Sequence, residues 1–480
     1  MDTPSIQFVL FGLAAALISN LSRSPVWRSC VLFAASVVFL GVQVKAPMAI
    51  VPLTGFLLLG YAGLGLAERS GSRLLPVCLL TVILAYVWMK KYTVLPDAAF
   101  LHVPYLTVGL SYIFFRVLHL IIDTGESDGD ERRHVSLASY LLYTMNFTTL
   151  VSGPIQRYDD FARDQFASEP PRLGPQVVGS QLERIVRGFF KVTVLAMLLH
   201  GFQEDAVAQL AQPIPSGLRM LAAFRLFVLY PFFLYANFSG YIDIVIAVAR
   251  LMRIQLPENF NRPFSASSFL DFWNRWHITL STWLRIYVYN PLLAALMRRI
   301  SSVSVQPFLA VFCFFVTFFL IGIWHGRTSE FVVFGVFQGS GVAVNKLWQL
   351  LLAKRMGSKP YRTLAKNSTY IAFGRGLTFA WFAFTLLWFW ADWQQIHRVF
   401  GALSVVAWIS VWCMLWLCMT TVFSGWEWLR ARVLSISVGG QVALTSRYAR
   451  VVYASALGLA AFVISVLLNQ AAPDIVYKAF

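Results

Sequence analysis

Apolar positions in this chain come in long unbroken blocks rather than in alternation. Residues 8–19 read FVLFGLAAALIS and residues 48–66 MAIVPLTGFLLLGYAGLGL. Residues 307–324 read PFLAVFCFFVTFFLIGIW and residues 449–468 ARVVYASALGLAAFVISVLL. Each approaches the roughly 20 residues that a helix needs to cross a bilayer. Inside lipid every backbone polar group must be satisfied within the protein, which leaves only helices or a closed barrel. Barrel strands alternate apolar and polar positions, and these blocks do not. The pattern predicts an all-α polytopic membrane protein forming a single transmembrane domain over residues 1–480. Counting blocks gives about 11 crossings, with re-entrant or interfacial helices besides.

The polar interruptions are uneven. Residues 121–137 predict a polar loop, and residues 156–184 a longer one that Pro170, Pro171 and Pro175 should keep from being helical. Residues 254–300 are too polar to span, yet rich in aromatics. Within DFWNRWHITLSTWLRIYVY (271–289), Trp276, Trp283 and Tyr287 fall near one helical face, with His277, Ser281, Leu284 and Val288 as a neighbouring stripe. Arg275 and Arg285 flank it. That spacing predicts an amphipathic helix at the membrane interface or against a wet cavity, and by itself it does not require chemistry. Just ahead, LPENFNRPF (256–264) has two prolines and two asparagines and predicts an ordered loop whose polar groups need partners. Upstream, YANFSGYIDIVIAVAR (235–250) places Asn237, Ser239 and Asp243 on a helix. Asp243 is open to a functional role, a capping role or pairing with an arginine.

Composition agrees with the class: of 480 residues, 58% are hydrophobic and 13% charged, against about 25% charged in soluble domains. A net charge of +17 could point to nucleic acid, but the cations sit in short connections. Arg23 with Arg28, Arg69 with Arg73, Arg298 with Arg299, Lys354 with Arg355 and Arg430 with Arg432 fit the positive-inside bias and contacts to anionic lipid head groups. No nucleic-acid partner is expected. This bias places the Arg23/Arg28 and Arg69/Arg73 connections in the cytoplasm and the N-terminus outside. The first apolar block follows an acidic MDTPSIQ and is not expected to be a cleavable signal. The five cysteines have no spacing that suggests a disulfide framework or a metal site.

Ionisable groups within apolar blocks are the candidates for chemistry. His325 stands in IGIWHGRTSEF (321–331), at the end of the apolar block. A hydrolase elbow, a zinc-protease helix motif and a phosphate-binding loop are all missing from the sequence. With NFSGYIDIVIAVARLMRIQLPENFNRPFSASSFLDFWNRWHITLSTWLRIYVYNPL (237–292), SGPIQRY (152–158) and GIWHG (322–326), the chain resembles the membrane-bound O-acyltransferase family. It is most similar to the bacterial branch that modifies alginate and lipoteichoic acid. Matching stretches appear in order over residues 105–340. The sequence departs from that family at Asn237, at the YNPLLAAL segment and at Gln338.

The resemblance implies a ring of tilted helices around a thin centre, with a cytosolic funnel leading to the site. It implies His325 as the catalytic histidine and His277 as the second. Trp324, Asn261, Arg275, Trp276, Ser281, Asn237 and Asp243 are the implied substrate- or donor-binding residues, and no metal or bound cofactor is implied. The implied donor is acetyl-CoA, with an acyl carrier protein thioester as the alternative. The implied acceptor is a hydroxyl of an exported polysaccharide or cell-wall glycan, reached directly or through a periplasmic acetyltransferase partner. D-alanyl or other acyl transfer to teichoic acid, lipid or protein is the alternative. A transporter is disfavoured, because the halves lack inverted-repeat symmetry. The setting would be a bacterial cytoplasmic membrane, with membrane lipids as partners. Acyl transfer to an alcohol needs a base and a means of stabilising the oxyanion. Neither the cysteines nor the serines sit in a nucleophile context, which points to direct transfer without an acyl-enzyme.

Overall fold

A computed structural model describes residues 5–44, 46–93, 95–100, 105–127, 134–435, 437–438, 441–442, 446–468 and 473. Among the described residues the chain is helical almost throughout, with a short antiparallel pair, Ser437–Val438 with Gln441–Val442. Among the described residues eight helices are long and apolar enough to cross a membrane: Pro25–Gln43, Pro47–Arg73, Pro175–Leu210, Ser216–Leu251, Gln306–His325, Ser368–Trp390, Val405–Leu434 and Arg447–Leu467. Two shorter apolar helices, Ile6–Ser19 and Leu75–Met89, accompany them. Several of these helices carry proline in their first turn, where its missing N–H costs nothing. Pro175 does the same, and the expected loop over 156–184 is overturned twice, by a helix at Tyr158–Gln165 and by the Pro175–Phe190 helix. The polar stretch 121–137 is helical through Glu126, and residues 128–133 of it lie outside the described residues.

The chain forms two compact units. The first is built from Met1–Phe189 and Gly240–Glu258. Phe8, Phe39 and Phe147 meet edge-on or tilted at 5.8–6.4 Å in its core. The Leu110–Glu126 helix is buried on nearly every side and carries two ionisable residues inward. One is Arg116, whose guanidinium donates to the carbonyls of Tyr143, Thr144 and Thr149 at 2.6–3.1 Å. These are orphan acceptors at and beyond the end of the Leu137–Thr144 helix. The other is His119, 2.8 Å from the Tyr143 hydroxyl, which in turn donates to the Gln156 carbonyl. The Gln156 side chain donates to the Gln255 carbonyl, so SGPIQRY is held in place from both sides. Arg28 does not reach lipid head groups as the charge pattern suggested. It is buried and donates to the carbonyls of Asp164 and Ala167 at 2.9 and 2.6 Å.

The second unit is built from Phe190–Ser239 and Asn259–Pro473. At its centre Gln306–His325 and Ser329–Met356 run as a hairpin of helices in backbone contact. A Cβ on Gly322 would lie 2.1 Å from the Gly335 Cα, and one on Gly339 2.6 Å from the Phe315 carbonyl. Small residues allow such close approach where lipid offers no hydrophobic drive between helices. The segment expected to be one amphipathic helix is broken instead. Short helices cover Phe269–Trp273 and Ile278–Leu284, followed by a π-turn at Arg285–Tyr289 and a helix over Asn290–Arg299. The break falls at His277, because residues 259–278 fold back on themselves. Phe260 bridges Trp276 antiparallel, the Asn261 N–H donates to the Arg275 carbonyl at 2.9 Å, and the Ile278 N–H donates to the Asn259 carbonyl at 3.0 Å.

Candidate active site

His277 occupies the left-handed region, at φ 45° and ψ 52°, immediately before the Ile278–Leu284 helix. A non-glycine residue is held there only when its surroundings impose it, and such residues cluster at functional sites. Here the antiparallel fold-back imposes it. The imidazole is fully buried, edge-on to Phe238 at 5.0 Å and to Trp324 at 6.4 Å. Its Nδ1 lies 3.3 Å from the Asn259 Oδ1, which also accepts from the Thr279 N–H at 3.1 Å and the Thr279 hydroxyl at 2.9 Å. His277 lies outside the spanning helices, and burial alone pushes its pKa from 6.5 down to about 3, so the ring is neutral at physiological pH.

Trp324 and His325 end the Gln306–His325 helix. His325 is buried, with its ring 4.8 Å from Trp324, 5.2 Å from Phe389 and 6.0 Å from Phe334. Phe331 fills the space beside Gly326 so closely that a Cβ there would fall within 1.9 Å of its ring. Trp324 therefore contacts both imidazoles, and both lie in one aromatic-walled region of the second unit. Two buried imidazoles among aromatic rings form a setting suited to general-base chemistry on a hydroxyl.

The other residues singled out from the sequence occupy different settings. Trp276 is core: it stacks on Phe272 at 5.6 Å and meets Phe260 and Phe382 at 5.1 and 5.3 Å. Arg275 pairs with Asp271 at 2.9 Å, and the Ser281 hydroxyl donates to the Trp276 carbonyl at 3.4 Å. Asn261 is exposed and contributes its backbone N–H, not an inward side chain. Asn237 is buried within the Ser216–Leu251 helix and its amide lies 3.5 Å from the Pro473 carbonyl. Asp243 belongs to the first unit, mid-helix, where Arg184 and Arg187 meet it at 2.9 and 3.4 Å. Arg184 also grips Glu258 at 2.6 and 2.7 Å, which makes pairing with arginine, not capping, the arrangement found. The residue missed from the sequence is Asn259. Asn259 is fully buried and meets His277 and Thr279, whereas Asn261, two residues on, is exposed.

Elsewhere His134 meets Glu68 at 2.8 Å, His200 meets Glu204 at 3.5 Å and His397 meets the Trp393 carbonyl at 2.7 Å. His102 lies outside the described residues. Among the described residues no cluster of three or more His, Cys, Asp or Glu could hold a metal. The five cysteines are unbridged.

The helical membrane architecture with a histidine-bearing aromatic site defines the class, and sequence comparison defines the family. Residues 72–378 match the MBOAT, membrane-bound O-acyltransferase family, and the chain belongs to it. It is 31% identical over 287 residues to a teichoic acid D-alanyltransferase of Streptococcus thermophilus, covering 57% of this chain and 65% of that protein. It is 32% identical over 256 residues to the probable alginate O-acetylase AlgI of Pseudomonas syringae pv. tomato, covering 53% of this chain and 45% of that protein. A Bacillus subtilis teichoic acid D-alanyltransferase is 27% identical over 48% of this chain and 56% of its own length. The chain thus spans between about half and two thirds of these curated relatives.

Proposed function

We propose that this protein transfers an acyl group, acetyl in the first instance, from a cytosolic thioester to a hydroxyl of an exported polysaccharide or cell-wall glycan. The observation that carries the reading is the pair of buried imidazoles sharing Trp324, within the stretch that matches the acyltransferase family. His325 serves as general base: the acceptor oxygen attacks the thioester carbonyl, and its proton passes to His325. The carbon–sulfur bond then breaks and the leaving thiolate takes that proton. His277, held neutral, accepts a hydrogen bond from the attacking hydroxyl or the donor and orients it. Trp324 excludes water between them. Acetyl-CoA is the donor, delivered from the cytoplasmic side of a bacterial cytoplasmic membrane, and a periplasmic acetyltransferase or polysaccharide machinery receives the group.

A second reading is favoured by the named relatives: D-alanyl transfer from an acyl carrier protein to teichoic acid. The test is purified protein in nanodiscs with labelled acetyl-CoA in one arm and labelled D-alanyl carrier protein in the other. Wild type should label a glycan acceptor in one arm and the His325→Ala variant in neither. A fully active His325→Ala protein would overturn the site. Incubation with donor but no acceptor should leave the protein without a stoichiometric acyl adduct on Ser or Cys, and such an adduct would replace direct transfer with a two-step route.

A further inference from the structure

The Trp393–Gly401 helix adjoins the candidate site, and its first turn is fixed to it from several directions. The Asp392 carboxylate accepts from the Gln395 N–H and the Gln395 side chain accepts from the Asp392 N–H, which meets two helix-end donors reciprocally. The Trp393 N–H donates to the buried Glu330 at 3.1 Å, and the indole Nε1–H donates to the Ser329 hydroxyl at 2.7 Å. His397, one turn on, donates from Nδ1 to the Trp393 carbonyl at 2.7 Å. Ser329 opens its helix four residues after His325, and Phe389, four residues before Trp393, packs on the His325 ring at 5.2 Å. Trp393 is nonetheless 37% exposed. A tryptophan of a membrane-interface belt turns its N–H to water or head groups. Here that N–H is committed to Ser329, so what the ring offers outward is a rigid carbon surface.

The same helix exposes Gln394, His397 and Arg398, spaced i, i+3 and i+4 on one face. Neither Gln394 nor Arg398 has a side-chain hydrogen bond or ion pair among the described residues. Arg327 is exposed two residues after His325, and the half-buried Arg219 donates to the Ala402 carbonyl at 3.0 Å, just past the helix. These cations stand away from the basic connections. Arg298 and Arg299 precede the helix that ends at His325, and Lys354 and Arg355 close the one that begins at Ser329. The positive-inside bias puts those connections in the cytoplasm, so guanidiniums at the opposite ends run against the bias and call for an anionic partner.

We propose that this face is a binding subsite for an acidic glycan, with Trp393 stacking on a pyranose ring and Gln394 and Arg398 holding its hydroxyls and carboxylate. A sugar ring presents a face of C–H bonds that packs on an indole. The guanidinium of Arg398 supplies the planar fork that matches a carboxylate. Because Ser329 and Phe389 tie the subsite to His325, a chain held here leads its hydroxyls to the histidine from the side on which an exported acceptor arrives. The subsite's place in catalysis rests on the acyl-transfer reading given above, but the binding itself does not.

Calorimetry without any donor tests the subsite apart from the reaction. Wild-type protein in phosphatidylcholine nanodiscs should bind a mannuronate hexamer, and a neutral maltohexaose about 10-fold more weakly for want of the charge contact. Trp393→Ala should weaken hexamer binding about 10-fold, the loss expected of an interface aromatic. Trp393→Phe keeps an aromatic face, guards against a folding failure and should lose only a few-fold. Arg398→Gln should weaken the mannuronate hexamer and leave maltohexaose unchanged. In the transfer assay both Trp393→Ala and Arg398→Gln should raise KM for the glycan, with kcat and the KM for acetyl-CoA little changed, as loss of uniform binding does. A merely structural role would instead lower kcat or the yield of folded protein. Wild type that binds no hexamer, equal binding of the two hexamers, or a Trp393→Ala protein that binds as wild type does would each overturn the proposal. So would a Trp393→Ala protein altered only in its thermal stabilisation by phosphatidylglycerol, which would make the face a lipid contact. If His325→Ala proves active, the catalytic assignment fails while calorimetry still decides the subsite.

Discussion

His119 and His277 are both fully buried imidazoles, one in each unit, and they are used differently. His119 sits mid-helix in ordinary backbone geometry, bonded to a tyrosine hydroxyl that passes the link on to the Gln156 carbonyl. With Arg116 next to it, it secures irregular backbone in an apolar interior, where an unmet carbonyl is costly. His277 sits at a break, in left-handed geometry, with aromatic rings on its flanks and the Asn259 amide beside its Nδ1. The difference is one of what the surroundings leave over: polar groups that satisfy backbone stabilise, and polar groups that strained backbone and rings hold apart can serve a substrate. Burial by itself does not distinguish the two.

Variants along that contrast should separate stability from activity. The largest effect is expected from His325→Ala: acyl transfer falls about 10²–10⁴-fold, as for loss of a general base, with insertion and thermal unfolding in detergent close to wild type. Arg116→Met should do the reverse. It strands the carbonyls of Tyr143, Thr144 and Thr149, at about 1–3 kcal/mol for each that stays unmet, and should show as lost yield and a lower unfolding temperature. The histidine pair itself comes next. His277→Gln should cost about 10–10²-fold in rate with little change in unfolding, and His119→Gln about 1–2 kcal/mol of stability with the rate per folded molecule preserved. If both variants changed only stability, the contrast would collapse.

Gly326→Ala should cost about 1–3 kcal/mol of stability, because the added methyl must displace the Phe331 ring; thermal unfolding measures it. The smallest effect is on pH. An unfolded His277 binds a proton near 6.5 and the folded one only near about 3, so between these values the unfolded state holds more protons. Its contribution to stability is therefore complete above 6.5 and declines on acidification. Unfolding temperature measured from pH 7 to pH 4.5 should fall less steeply in His277→Gln than in wild type.

Much of this was legible in the chain. Hydrophobic blocks of near-spanning length could belong only to membrane helices, since lipid supplies no partner for backbone. The prolines that looked like breakers of the 156–184 stretch were partly starters, because proline at the first helical turn and proline in a loop look the same in sequence. WHG at the end of an apolar block drew attention to His325 for the physical reason that an ionisable group there needs a use. Arg28 was misread because a cation near a helix start resembles a lipid anchor, and only the structure shows two carbonyls waiting for it. Local pattern thus determined the class and most of the spanning helices and drew attention to His325, while His277 was singled out through the family resemblance. Tertiary structure decided that residues 259–261 pair back against 275–278, and with that the break at His277, the inward turn of Asn259 and the outward turn of Asn261. A helical period read along the sequence could not foresee it, because hydrogen bonds from a preceding loop override the spacing of side chains and set which face each one takes.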